Sequence, residues 1–156
     1  TIKKMKEIGC ELGNHTAEHK SLKKLSDAEI KEAINSVSDK VAAATGGSPT
    51  TVTRPPYGAF DDHVKAAAPE PLIMWSIDTL DWKTKNVQST IKSVNTATDG
   101  DIVLMHDIHK TSVEAAIQVI PQLIEKGYQL VTVSEMAEAR GVTLENGGVY
   151  FSFYKQ

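Results

Sequence analysis

Apolar runs of strand length alternate along this chain with amphipathic stretches of helix length, and most of those stretches carry their own start or stop signal. Residues 2–8 read as a helix, with Ile2, Met5 and Ile8 three apart and Gly9 as the stop. Ser26-Asp27-Ala28-Glu29 is a capping box, in which hydroxyl and carboxylate satisfy free N–H groups at a helix start. Ile30, Ile34, Val37 and Val41 then share one helical face, and Gly46-Gly47 ends it. Asp61 caps a short helix that stops before Pro69, and Asn86 caps another over residues 87–94. Residues 112–126 form a helix ended by Gly127, with Pro121 as an internal irregularity. Ser134 caps a last helix that stops at Gly141. Between these lie strand candidates at 10–13, 51–53, 72–77, 102–105 and 129–133. The stretch from Val149 to Tyr154 adds a further edge strand.

Strands separated by helices of this length imply a parallel α/β sheet or barrel. In such folds ligand loops converge at the C-terminal ends of the strands. The length of 156 residues fits one domain, spanning 1–156. A net charge of −3 gives no basic stripe, so nucleic acid is not an expected partner. No apolar run approaches the roughly 18 residues of a membrane span. A single cysteine, Cys10, allows no internal disulfide. The chain starts inside a helix with Thr1 rather than Met, which predicts a piece of a longer protein.

Four short motifs follow strand candidates in a fixed order. They are His15-Thr16-Ala17-Glu18-His19, Arg54-Pro55-Pro56-Tyr57-Gly58, Asp78-Thr79-Leu80-Asp81-Trp82 and Leu104-Met105-His106-Asp107. Two histidines four apart in a helical turn put both rings on one face, near enough to share one ion. Taken alone, the same spacing describes two solvated histidines. The Pro55-Pro56 pair stiffens the backbone and fixes where Arg54 and Tyr57 sit; a guanidinium there suits a carboxylate partner. A histidine at a strand end paired with a carboxylate is a general-acid arrangement. Singly, Trp82 is a core aromatic and His106 a satisfied core histidine.

In their order and spacing the four motifs resemble the polysaccharide deacetylases of carbohydrate esterase family four, over nearly all of the chain. The resemblance implies a distorted (β/α) barrel of seven to eight strands, present here as a partial barrel lacking its N-terminal strands. It implies metal-dependent hydrolysis of acetyl groups. His15 and His19 are then two of three protein ligands to a divalent ion, Zn most often, with Co or Ni able to substitute. Arg54 holds the catalytic aspartate, and the Tyr57 backbone N–H serves the oxyanion. Asp81 tunes His106, the general acid. Trp82 and Leu104 line the acetyl pocket, and Tyr57 also meets substrate.

The family opens with an Asp-Asp segment of the form Thr-Phe-Asp-Asp-Gly-Pro that supplies the third ligand and the general base. Asp61-Asp62 stands in the wrong place and reads better as a helix start. The isolated chain is therefore expected to be inactive until an N-terminal fragment carrying that segment joins it. The expected substrate is an acetylated polysaccharide containing N-acetylglucosamine, with peptidoglycan chosen by frequency within the family. Chitin oligomers and acetylxylan are the alternatives, as is a non-catalytic carbohydrate-binding relative. The expected location is extracellular or at a bacterial cell wall.

Overall fold

The computed structural model describes residues 1–155, which group into two compact units. The first unit takes in residues 1–74 and 132–150, the second the described residues from 75 to 131 and from 151 onward. No helix among the described residues is long and apolar enough to cross a membrane.

The first unit holds helices α1 (Ile2–Glu7), α2 (Asp27–Thr45), α3 (Asp62–Ala67) and α7 (Val133–Ala139), and strands β1 (Leu72–Ile73) and β4 (Val149–Tyr150). Its sheet is built from very short parallel pairings. β4 pairs with β1, Leu72 bridges to Thr53, and Thr53 bridges to Asn14. The backbone bonds Asn14 N–H to Val52 O (2.7 Å), Arg54 N–H to Asn14 O (2.8 Å) and Ile73 N–H to Thr53 O (2.8 Å) carry this ladder. The expected strand at 51–53 thus survives as extended chain bridged at Thr53, while residues 10–13 form no bridge and the pairing falls one residue on, at Asn14. The C-terminal stretch, expected at an edge, lies parallel to β1.

Helix α2 starts at the expected capping box: the Ser26 backbone N–H reaches Glu29 Oε2 at 2.8 Å, and Ser26 Oγ accepts from the Glu29 N–H. It ends at Gly46, whose φ of 78° is the left-handed conformation that suits glycine. Ile30 and Ile34 on its inner face are fully buried with Leu22, Val64 and Leu72. Each such side chain contributes about 1.5–3 kcal/mol by leaving water. α3 begins at Asp61, whose Oδ1 accepts from the Val64 N–H at 3.0 Å.

The second unit holds β2 (Ile77–Asp78), α4 (Asp81–Thr84), α5 (Val87–Val94), β3 (Val103–Leu104) and α6 (Lys110–Glu125). β2 and β3 pair in parallel. The apolar run expected as one strand over 72–77 divides into β1 and β2, and the break falls at the boundary between units. Ile91, Val94, Ala115, Val119 and Leu123 form the core between α5 and α6. Pro121 sits inside α6 without ending it. Ile117, whose carbonyl loses its helical partner to the proline, is exposed, so water can replace that bond. The C-terminal residues close back on this unit: Phe153 N–H donates to Gly100 O at 2.7 Å, and Tyr154 donates its hydroxyl to Asp101 at 2.5 Å.

Two expectations fail near α7. Residues 129–133 form no strand; Leu130 and Val131 are exposed, so no burial rewards a ladder there. The helix cap is Thr132 rather than Ser134, because Thr132 makes its own capping box with Glu135. Ser134 instead gives its hydroxyl and backbone N–H to Glu11.

Candidate functional site

The His15–His19 segment is a loop and not the expected helical turn. Thr16 (φ 61°) and His19 (φ 52°) both occupy the left-handed region, which side-chain-bearing residues enter at a cost of about 1–3 kcal/mol. The loop holds this shape through local bonds. Asn14 Oδ1 accepts from the Thr16 N–H at 2.9 Å, and Thr16 Oγ1 accepts from the His19 N–H at 3.2 Å. Asn14 is itself buried, with its amide donating to Ile34 O at 2.8 Å. Glu18 faces solvent, paired with Lys20.

That bend brings the two imidazoles together. His15 Nε2 and His19 Nε2 lie 3.1 Å apart, and the rings meet edge to face with centroids 4.8 Å apart. His15 Nδ1 lies 2.6 Å from the Arg54 carbonyl oxygen. A carbonyl only accepts, so the proton sits on Nδ1 and the Nε2 lone pair is left for the ion. Two nitrogens each about 2.0–2.1 Å from one tetrahedral ion would stand about 3.3 Å apart. The pair therefore fits as two ligands of one cation. Among the described residues, no third histidine, cysteine, aspartate or glutamate joins them.

Pro55 and Pro56 lead into a 3-10 turn over Pro56–Gly58. Tyr57 sits there at φ 62°, highly exposed, with its ring 4.6 Å from that of His19. Arg54 Nε donates to Ile73 O (3.3 Å) and its Nη2 to Met74 O (3.2 Å), pinning the guanidinium to the end of β1. Burial lowers the Arg54 pKa, yet a guanidinium starting so high stays charged at neutral pH. Asp61 is committed to capping α3 and Asp62 to Lys65 at 2.8 Å, so this acidic pair serves the helix.

In the second unit Asp81 is buried at 1% exposure. It opens the one-turn helix α4, which is bounded by Leu80 (φ 52°) and Lys85 (φ 45°), both left-handed. Asp81 Oδ1 accepts from the Trp82 N–H (2.8 Å) and from His106 Nδ1 (2.8 Å), while Oδ2 accepts from the His106 N–H (2.6 Å). The carboxylate therefore holds both the ring and the backbone of His106. Burial pushes the Asp81 carboxyl up, but hydrogen bonding from Ser112, His106 and Trp82 outweighs it and leaves the carboxyl below its ordinary range. The Ser112 hydroxyl is itself enclosed. Thr79 ties the same loop to β3 by donating to Leu104 O at 2.8 Å, and Asp78 Oδ1 accepts from the Leu80 N–H. Leu104 is buried, whereas Trp82 is half exposed.

Sequence reasoning missed Ser112 and Glu70 and gave Thr79 no role; Gly13-Asn14 reads as a sharp turn before His15, but not as the side chain that braces the loop. Asn14 had a usable signal: asparagine accepts from the backbone two residues on and so builds a tight turn. Glu70 had none, because nothing local marks a glutamate that will be buried.

A family model for polysaccharide deacetylase matches residues 1–70. The chain is 39% identical over 90% of its length to the peptidoglycan-N-acetylmuramic acid deacetylase PdaC of Bacillus subtilis. It is 40% identical over 96% of its length to the peptidoglycan-N-acetylglucosamine deacetylase PgdA of Listeria monocytogenes. It spans about a third of those curated relatives, 30% and 32% respectively. Among solved structures, the T48 deacetylase with substrate superposes with a TM-score of 0.88 at 36% identity, covering 96% of this chain and 74% of that one.

Proposed function

Since the chain belongs to the polysaccharide deacetylase family, we propose that it forms part of a hydrolase removing acetyl groups from a polysaccharide containing N-acetylglucosamine. Peptidoglycan is the substrate favoured, because both curated relatives compared above are peptidoglycan deacetylases. Such a substrate makes the bacterial cell wall the place of work. The observation that carries the reading is the convergence of His15 Nε2 and His19 Nε2 to 3.1 Å, with the His15 tautomer set by the Arg54 carbonyl.

In this reading His15 and His19 hold a divalent cation, zinc foremost, with cobalt or nickel as substitutes. When bound, the ion supplies Lewis acidity to the acetyl carbonyl and to a water. The Tyr57 backbone N–H donates to the oxyanion. Asp81 fixes His106 through Nδ1, so proton delivery to the leaving nitrogen or oxygen falls to Nε2. Trp82, Leu104 and Tyr57 contact the substrate. The third ligand and the general base come from an N-terminal fragment with the Asp-Asp segment, whose aspartate Arg54 orients.

The test is acetate release from peptidoglycan, chitopentaose and acetylxylan side by side, with that fragment supplied. Peptidoglycan should be turned over fastest. His106→Ala should lose about 10²-fold or more in kcat while keeping metal affinity. Equal loss of metal affinity, or no acetate from any of the three, would overturn the reading.

A further inference from the structure

Glu70 has no part in the chemistry just described, yet it is buried at 8% exposure in the first unit. Removing a carboxylate from water costs several kcal/mol unless its oxygens are well bonded. Both are. Thr50 Oγ1 donates to Oε1 at 2.5 Å and Thr53 Oγ1 donates to Oε2 at 2.7 Å. These two threonines stand on the segment that runs directly into Arg54.

A carboxylate accepts at both oxygens, so it dictates the direction of every bond that follows. Thr50 must spend its proton on Glu70, which leaves its oxygen lone pair to accept from the Asn14 amide at 3.4 Å. That agrees with the orientation the backbone demands of the Asn14 side chain: Nδ2 goes to Thr50 and Ile34 O, and Oδ1 is left for the Thr16 N–H. Thr16 Oγ1 then receives the His19 N–H. The other branch is shorter. Thr53 adjoins Arg54, whose carbonyl oxygen lies 2.6 Å from His15 Nδ1. Both imidazoles therefore trace back to one carboxylate, one through three side chains and one through a neighbouring peptide.

We propose that Glu70 is a positioning residue for the His15–His19 pair: an acceptor-only anchor that fixes the polarity of the network bending residues 14–19 and orienting His15. The proposal rests on the reading of that pair as a metal seat. A plain structural carboxylate would affect stability alone. A positioning carboxylate affects how tightly the two histidines act together, beyond any loss of stability.

Glu70→Gln is the informative change. It keeps the shape but presents an amide donor where Thr50 or Thr53 needs an acceptor. Co²⁺ affinity is read from the visible absorption of the bound ion, and the His15 tautomer from ring nitrogen NMR shifts in the metal-free protein. Val64→Ala, in the same unit and away from the network, is the stability-matched control. Glu70→Gln should weaken Co²⁺ binding about tenfold, the low end for outer partners of a metal ligand. It should also erode the Nδ1–H form of His15, and Val64→Ala should do neither. Thr53→Val should behave like Glu70→Gln and Thr53→Ser should restore binding, which keeps the test open if Glu70→Gln fails to fold. Unchanged affinity and tautomer in Glu70→Gln, or equal losses in Val64→Ala, would overturn the proposal. If the parent chain binds no Co²⁺ even with the Asp-Asp fragment supplied, the metal reading fails, and the tautomer measurement alone decides the role of Glu70.

Discussion

Replacing Asp81 with asparagine removes one charge and one acceptor from a buried carboxylate that accepts from three N–H donors. Those donors are the Trp82 N–H at 2.8 Å, the His106 N–H at 2.6 Å and His106 Nδ1 at 2.8 Å. Asparagine offers one oxygen and one amide. If its oxygen takes the place of Oδ1, the amide confronts the His106 N–H, donor against donor. If the oxygen takes the place of Oδ2, Trp82 N–H and His106 Nδ1 both lose their acceptor. At least one buried donor is therefore orphaned, at about 1–3 kcal/mol, together with the charge-assisted share of the remaining bonds. A loss of about 2–3 kcal/mol follows, and a chain of this size should show a Tm lower by roughly 4–12 °C. The difference also depends on pH. The Asp81 carboxyl is held below its ordinary range in the folded state, so its contribution is full above the unfolded pKa of about 3.9 and fades as pH falls through the lower folded value. Thermal melts followed by circular dichroism from pH 7 down to pH 3 should show parent and variant converging at the acid end. A variant that melts within 1 °C of the parent at pH 7, or a gap that widens on acidification, would refute the reasoning.

His15→Ala should abolish most Co²⁺ binding while leaving the Tm nearly unchanged, since the ring is exposed and its lost bond is to a carbonyl that water can reach; calorimetric titration checks this. Tyr57→Val should be less stable than Tyr57→Gly by about 1–2 kcal/mol, because Tyr57 holds φ 62° and a branched side chain resists that region; paired urea melts give the difference. Gly147→Ala should cost about 3 kcal/mol in the same assay: a Cβ at φ 71° would collide with the Lys65 carbonyl oxygen.

The parts of the fold that declare themselves locally were legible in the chain. The Ser26 and Asn86 caps, the Asp61 cap and the stops at Gly9, Gly46 and Gly141 all rest on bonds between near neighbours. Strands were less legible, since their limits depend on partners far away in sequence: one apolar run over 72–77 became β1 and β2 because each half pairs with a different strand. Residues 129–133 looked like a strand by composition alone, with no partner to make one. Within the candidate site, the spacing of His15 and His19 announced convergence but attributed it to a helix. Left-handed residues at 16 and 19 achieve it instead, braced by Asn14. The Asp81–His106 contact spans 25 residues and was readable only through the motifs that hold both partners. Glu70 and Ser112 were invisible because burial is decided by the tertiary fold.

The central claim, that this chain supplies one part of a metal-dependent deacetylase site, is tested most directly by acetate release. The assay uses peptidoglycan with the chain alone, with the Asp-Asp fragment alone and with the two combined, each after EDTA treatment and again after adding Co²⁺. The account predicts acetate only from the combination, only with metal restored, and none when His15→Ala replaces the parent chain. Equal release with and without metal, or no release from the metal-loaded combination, would contradict it.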